Sequence, residues 1–163
     1  MAGPDGRRSA ASGMRRSGPV FAYGTLMFAE VVGAVTGLAM TGLPARLEGF
    51  ARFRVRGAVY PGIRPVRGAW VDGVVYPEVS ARSLRLLDVF EGDLYRRETL
   101  VVETGAGRLS ADAWVVRPSR ERLLTDRPWE PEPFRRRHLR RYLDRIGRFP
   151  MRVAARRSLW SPG

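Results

Sequence analysis

The stretch that decides the predicted fold is Val20-Phe21-Ala22-Tyr23-Gly24-Thr25-Leu26. A short apolar run that stops at a glycine indicates a buried strand entering a tight turn. Apolar residues at helical spacing follow over residues 27–35, and Gly37 is a suitable helix stop. The segment is therefore predicted to form a strand, a turn and a helix, with the turn at residues 23–26.

Two further strands are predicted next along the chain. Residues 46–55 alternate between apolar and charged, which is typical of a half-buried strand. Its inward side chains would be Leu47, Phe53 and Val55, and its outward ones Arg52, Arg54 and Arg56. The second strand covers residues 69–75, with a bulge or bend expected at Asp72-Gly73. A sharp turn is expected before it, at Tyr60-Pro61-Gly62.

The second half of the chain has equally local signals. Ser80 is a suitable N-cap for a helix over residues 80–90, which Gly92 would close. Segments 97–103 and 109–116 flank a glycine-containing turn and predict a hairpin, and a helix with an apolar face opens at Pro131 and Pro133. Short strands in neighbouring pairs, interrupted by helices, predict an α+β fold with a mainly antiparallel, barrel-like sheet.

Length and composition limit the possible classes of protein. A chain of 163 residues has the length of one domain, and the absence of cysteine excludes disulfides, cysteine metal sites and thiol nucleophiles. No apolar run is long enough to cross a membrane, and no secretory signal is recognisable, so we expect a cytoplasmic protein. We divide the chain into a mobile leader (1–18), a folded domain (19–148) and a loose basic C-terminal tail (149–163), and Met14 is an alternative start.

The net charge of +13 does not by itself indicate a polyanionic partner. All 29 basic residues are arginine, and lysine, asparagine and glutamine are absent, which looks like a GC-rich coding bias. Residues 1–18 carry +3 and residues 147–163 carry +4, so about half of the charge lies in the expected leader and tail. A basic balance favours acidic contacts in principle, but we do not expect a nucleic acid as the partner.

Glu91 is the first candidate for chemistry. It lies in the last turn of the predicted helix, where the helix dipole and apolar neighbours both raise a carboxyl pKa toward the range of a general acid–base. Spacing alone favours a solvated acid paired with Arg96 or Arg97. Asp88 lies one turn earlier on the same face, and we interpret it as structural support.

Other candidates would surround such an acid. Glycine in the 23–26 turn lets a ligand approach the backbone, and the N–H groups that follow suit a carboxylate, although a plain tight turn explains the same residues. Tyr95 could hydrogen-bond a substrate, or be a half-buried aromatic residue. Tyr60 and Arg64 could line the same cleft, or belong to a rigid turn.

The sequence lacks the residues that several classes of site require. His138 is the single histidine and lies beside three arginines, which favours a solvated position. The chain has no second histidine for a zinc motif, no G-x-S-x-G elbow and no glycine-rich phosphate loop. We therefore expect no metal and no cofactor.

Five short motifs, in order over about residues 19–146, resemble the γ-glutamylcyclotransferase-like superfamily. They are residues 20–26, Leu47-Glu48-Gly49-Phe50, Tyr60-Pro61-Gly62-Ile63, Gly73-Val74-Val75-Tyr76, and Leu87-Asp88-Val89-Phe90-Glu91-Gly92 with Tyr95-Arg96-Arg97. Each motif is short, but their joint order and spacing are specific. The resemblance implies a barrel of about six strands flanked by helices.

The resemblance also implies an activity, namely cleavage of a γ-glutamyl amide to 5-oxoproline and a free amine, without metal or cofactor. It gives Glu91 the role of the acid–base and residues 23–26 the role of the loop that holds the glutamyl group. It does not identify the amine that leaves, because members act on γ-glutamyl amino acids, glutathione, isopeptides or carrier-bound groups. The alternative is a non-catalytic binding module on the same fold that contacts an acidic partner. The oligomeric state stays open.

Overall fold

The structure is a computed structural model and describes residues 18–158. Six strands and five helices follow one another in chain order. They are β1 (Gly18–Ala22), α1 (Ala29–Thr36), β2 (Leu43–Val55), β3 (Pro61–Val79), α2 (Ala81–Glu91), β4 (Tyr95–Thr104), β5 (Gly107–Val116), β6 (Leu124–Pro128), α3 (Pro131–Arg137), α4 (Leu139–Ile146) and α5 (Phe149–Ser158). Short 3-10 turns occupy Thr25–Met27, Gly92–Leu94 and Pro118–Leu123.

Five of the strands close into a barrel. The sheet order is β3-β1-β5-β4-β2-β6, and β2 also pairs with β3, which joins the two sides. The pairing between β1 and β5 is parallel, and the other pairings are antiparallel. The predicted α+β class and the barrel are therefore confirmed, with β6 as a sixth strand on the outer edge of β2.

Glycines allow close approaches between the strands of this barrel. A Cβ atom on Gly73 would lie 2.3 Å from the carbonyl oxygen of Ala22, so β1 can pair this closely with β3 only because Gly73 has no side chain. The predicted bulge at Asp72-Gly73 is wrong, because pairing with β2 is regular there. The irregularity lies between Glu48 and Phe50, where Gly49 has φ 81°.

The predicted turn at Tyr60-Pro61-Gly62 is displaced. The chain reverses over residues 56–60, where the Val55 N–H donates to the Tyr60 carbonyl at 3.3 Å, and Pro61 already begins β3. Gly62 serves packing instead, because a Cβ atom there would lie 2.3 Å from a Val116 methyl carbon. The motif therefore marks a strand pressed against β5.

Helices α1 and α2 end where the sequence predicts, whereas the single helix predicted from Pro131 is divided at His138 into α3 and α4. Gly37 caps α1 in the left-handed conformation with φ 75°. The Ser80 side chain accepts a hydrogen bond from the Ser83 N–H at the start of α2, and Gly92 follows its end with φ 68°. One buried cluster fills the barrel and a second joins it to the helices. Helix α2 thus presents its last residue, Glu91, at the edge of the second cluster.

The C-terminal segment differs most from its prediction. Residues 149–158 form α5, which packs against α1, whereas a loose tail was expected there. Most of the predicted leader, including Met14, lies outside the described residues, and Gly18 already belongs to β1. No helix among residues 18–158 is long and apolar enough to span a bilayer.

Candidate active site

A pocket of about 330 Å³ opens at one end of the barrel, between the turn after β1 and helices α2, α4 and α5. It contains Glu91 together with the whole 23–26 turn. Its other lining residues are Phe21, Ala22, Tyr60, Pro61, Phe90, Leu94, Tyr95, Trp114, Tyr142, Arg145, Ile146, Phe149 and Arg152. The two features that the sequence singled out separately thus share one cavity.

Glu91 is half-buried and faces this pocket. Desolvation is the main cause that raises its pKa, from an ordinary value of 4.5 to about 8, and the charge of Asp88 adds to the effect. Among the described residues, no ion pair joins Glu91 to an arginine. Arg96 instead contacts Glu98, and Arg97 contacts Asp88. The ion pair of Glu91 with Arg96 or Arg97, which the sequence spacing favoured, is therefore absent from residues 18–158.

Asp88 has the structural contacts that its position indicated. Its carboxylate accepts a hydrogen bond from the Trp114 indole N–H at 3.0 Å and pairs with Arg97 at 3.2 Å. These bonds fix α2 against β4 and β5. They also hold a negative charge one helical turn from Glu91, which disfavours ionisation of Glu91.

Two buried tyrosines, Tyr23 and Tyr95, line the same pocket as Glu91. The Tyr23 hydroxyl donates to the Trp114 carbonyl, and the Tyr95 hydroxyl donates to the Pro61 carbonyl at 2.6 Å. Burial is the main cause that raises the pKa of both tyrosines well above the ordinary value, so both stay neutral at physiological pH. Both protons go to backbone carbonyls, and the Tyr23 oxygen also accepts a hydrogen bond from the backbone of Ile63, so the Tyr95 oxygen is the better placed to accept one from a ligand.

The turn after β1 is a 3-10 turn over Thr25–Met27. Its first i→i+3 bond runs from the Met27 N–H to the Gly24 carbonyl, so the N–H groups of Thr25 and Leu26 precede the first internal donor and have no acceptor within the turn. The Tyr76 hydroxyl holds the Leu26 carbonyl at 2.6 Å. Thr25 lies 3.2 Å from the Tyr142 hydroxyl, a contact that joins the turn to α4.

Arg52 supports this turn from behind, although the alternation in β2 predicted that it would point into solvent. Its side chain is 12% exposed. The guanidinium donates to the carbonyls of Tyr23 at 2.7 Å, Trp129 at 3.0 Å and Asp72 at 3.1 Å. The irregularity at Gly49 shifts the alternation of β2, so Arg52 pairs with Ile63 of the barrel core and lies on the inward face, whereas Phe53 lies on the opposite face. The predicted orientations of both residues are therefore wrong.

The structure brings together most, but not all, of the candidate residues. Tyr60 and Tyr95 line the pocket with Glu91 and the turn. Arg64 does not; it stacks over the Phe53 ring at 4.7 Å instead. The sequence missed the residues from α4 and α5, since their arginines resembled the rest of a basic surface. The apolar spacing of Tyr142 and Ile146 was the one usable signal. Residues 18–158 contain no group of three acids or histidines able to hold a metal ion.

The site thus belongs to a class of small barrels with a ligand-sized pocket and a desolvated carboxyl group at its wall. Comparison with known proteins makes this assignment specific. The family model described as gamma-glutamyl cyclotransferase, AIG2-like matches residues 20–135, and the chain belongs to this family. The resemblance seen in the sequence is therefore confirmed at the level of the family.

Individual relatives support the same assignment. AIG2-like protein C of Arabidopsis thaliana is 39% identical over 83 residues, which span 51% of this chain and 48% of that relative. A protein of Arabidopsis thaliana solved in solution has a TM-score of 0.63 at 26% identity over 80% of each chain. A solved gamma-glutamyl cyclotransferase has a TM-score of 0.57 at 22% identity, over 63% of this chain and 68% of that one, and this likeness shows the fold.

Proposed function

We propose that this protein is a γ-glutamyl cyclotransferase, which converts a γ-glutamyl amide to 5-oxoproline and a free amine. The observation that carries the proposal is Glu91, whose pKa is raised to about 8 in the pocket that also contains the 23–26 turn. A general acid–base works best when its pKa lies near the working pH. Membership of the cyclotransferase family supports the same reaction.

In the proposed reaction the α-amine of the substrate attacks its own γ-carbonyl carbon. A carbon–nitrogen bond forms in the five-membered ring, and the bond to the leaving amine breaks. Ionised Glu91 removes one proton from the α-ammonium and returns it to the leaving nitrogen, while the second ammonium proton reaches the released amine through solvent. Intramolecular attack can lower the barrier by about 7–11 kcal/mol in ideal cases, if the chain is held folded.

The pocket offers distinct groups for these steps. The N–H groups of Thr25 and Leu26 suit the oxygen that becomes negative, or the α-carboxylate. The Tyr95 oxygen can accept a hydrogen bond from the α-ammonium, because its own proton goes to the Pro61 carbonyl. The apolar rings of Phe90 and Trp114 reduce the water around the reacting bond.

The test is release of 5-oxoproline from a panel of γ-glutamyl compounds. Glu91→Gln keeps the size of the side chain and removes its acid–base function, so we expect kcat to fall by about 10²–10⁴. Asp93→Asn is the matched control, because Asp93 is an exposed acid two residues further along and does not line this pocket. Unchanged turnover in Glu91→Gln would remove Glu91 from the mechanism.

The same panel addresses the alternative function. If the wild-type protein releases 5-oxoproline from no member of the panel, the cyclotransferase proposal fails. A binding module on the same fold would then be favoured. Its acidic partner would be retained in a strongly salt-dependent manner by the arginine-rich surface.

A further inference from the structure

One wall of the pocket comes from outside the part of the chain that defines the family. The family match ends at residue 135, whereas α4 and α5 begin at Leu139 and Phe149. These two helices add five residues to the lining: Tyr142, Arg145, Ile146, Phe149 and Arg152. Family membership therefore does not specify what this wall binds.

Burial within the pocket changes from one end to the other. Tyr23, Thr25, Leu26 and Tyr95 are buried and form its inner end. Arg145 and Arg152 are exposed and lie at its outer end. Because the inner end suits the glutamyl group, an amide that reaches Glu91 would direct its leaving amine toward α4 and α5.

The two arginines place positive charge at this outer end. The Arg152 guanidinium donates to the Arg145 carbonyl at 3.0 Å, in the last turn of α4, where the helix dipole favours a cation. Within residues 18–158, neither arginine forms an ion pair with a carboxylate. Their remaining N–H donors are therefore available to a bound anion.

The glutamyl group does not itself require these cations. Its α-ammonium and α-carboxylate balance each other, and the acid among the lining residues is Glu91 alone. The wall also has an apolar part, because the Phe149 ring packs edge-on against Phe90 at 5.5 Å. A ligand that matches this outer end has an anionic group beside an apolar one.

We propose that Arg145 and Arg152 select a leaving amine that carries a carboxylate, namely an amino acid or a peptide, over neutral and cationic amines. The inference rests on the proposed cyclotransferase function and names its substrate class. The two guanidiniums bind the carboxylate of the leaving group, and they repel the second ammonium of a diamine. They determine specificity and do not take part in bond cleavage.

The test compares two substrates that differ in one charge, γ-glutamyl-alanine and γ-glutamyl-alaninamide. We expect wild-type kcat/KM to favour the carboxylate by about tenfold, the effect of two partly exposed charge contacts. In Arg145→Gln/Arg152→Gln this ratio should fall to about one, with turnover of the alaninamide retained. Arg148→Gln is the matched control, since Arg148 is exposed between them and does not line the pocket.

A third substrate, the γ-glutamyl amide of 1,3-diaminopropane, carries a positive leaving group and tests the charge preference in the opposite direction. Arg145→Glu/Arg152→Glu should raise its kcat/KM relative to γ-glutamyl-alanine, and added salt should weaken the preference in both directions. Equal wild-type rates on the first two substrates would overturn the specificity and leave the cyclotransferase function intact. A parallel loss on both substrates in the glutamine variant would assign the arginines to the glutamyl group instead. Absence of 5-oxoproline from all three would overturn both proposals.

Discussion

Replacing Glu91 by glutamine should change how the stability of the protein depends on pH. Unfolding returns the carboxyl group to water, where its pKa is about 4.5, whereas the folded protein raises it to about 8. Between these values the folded state keeps a proton that the unfolded state has released. Stability of the wild-type protein therefore falls as pH rises through this window, and the loss is complete above about pH 8.

The size of this loss follows from the two pKa values. A change from 4.5 to about 8 corresponds to about 5 kcal/mol, at 1.36 kcal/mol per pH unit. Glu91 is only partly buried. Because solvent screens a partly exposed charge, we expect an effect of about 2–3 kcal/mol. Glutamine has no such proton, so the free energy of unfolding of Glu91→Gln should rise relative to the wild type by this amount between pH 5 and pH 9.

Urea unfolding followed by tryptophan fluorescence measures this difference, since Trp114 and Trp129 are buried and report on the fold. The free energy of unfolding is extrapolated at each pH, with equal m-values required for the comparison. Asp93→Asn should follow the wild-type curve at every pH. A difference between Glu91→Gln and wild type that stays constant from pH 5 to pH 9 would show that Glu91 is an ordinary solvated acid, and would refute the reasoning.

Three other substitutions test the surroundings of Glu91. Asp88→Asn keeps the acceptor for Trp114 but removes the charge that raises the pKa of Glu91, so the rise of kcat/KM with pH should move to lower pH; an unmoved profile would contradict the coupling. Gly24→Ala places a Cβ 2.9 Å from the Pro61 ring and should cost about 1–3 kcal/mol in thermal unfolding. The control Gly105→Ala has open space and should be neutral, so equal costs would rule out the clash. Arg52→Lys should lose about 2–3 kcal/mol in urea unfolding, because an ammonium cannot reach three carbonyls. The neighbouring Arg54→Lys serves as its control, and equal losses would count against this role.

The parts of the fold that the sequence predicts well depend on nearby residues. The cap of α2 joins Ser80 to Ser83, and its closing glycine lies at the other end of the same helix. The hairpin of β4 and β5 needs a turn of a few residues and two alternating segments. Such signals are complete within about a dozen residues, so a single sequence contains them.

The errors depend on contacts between distant parts of the chain. Arg52 faces inward because the irregularity at Gly49 shifts the alternation of β2, and its guanidinium donates to Trp129, 77 residues further on. Gly73 makes room for Ala22 across the sheet, whereas a glycine in a strand more commonly suggests a bulge. Helix α5 was missed because its contact with α1, more than a hundred residues earlier in the chain, leaves no signal within residues 149–158.

The residues of the candidate site likewise fall into those that the sequence predicts and those that it does not. Glu91 and the 23–26 turn were predicted because they lie in motifs of the family-matched segment. Arg145 and Arg152 were not, since they lie beyond residue 135, where Arg145 looks like one more charge on a basic helix and Arg152 was expected in a loose tail. On the proposed function, the barrel would set the chemistry on the glutamyl group, and the C-terminal helices would choose the amine. Relatives that share the barrel but differ in these helices are therefore expected to share a reaction and to differ in substrate.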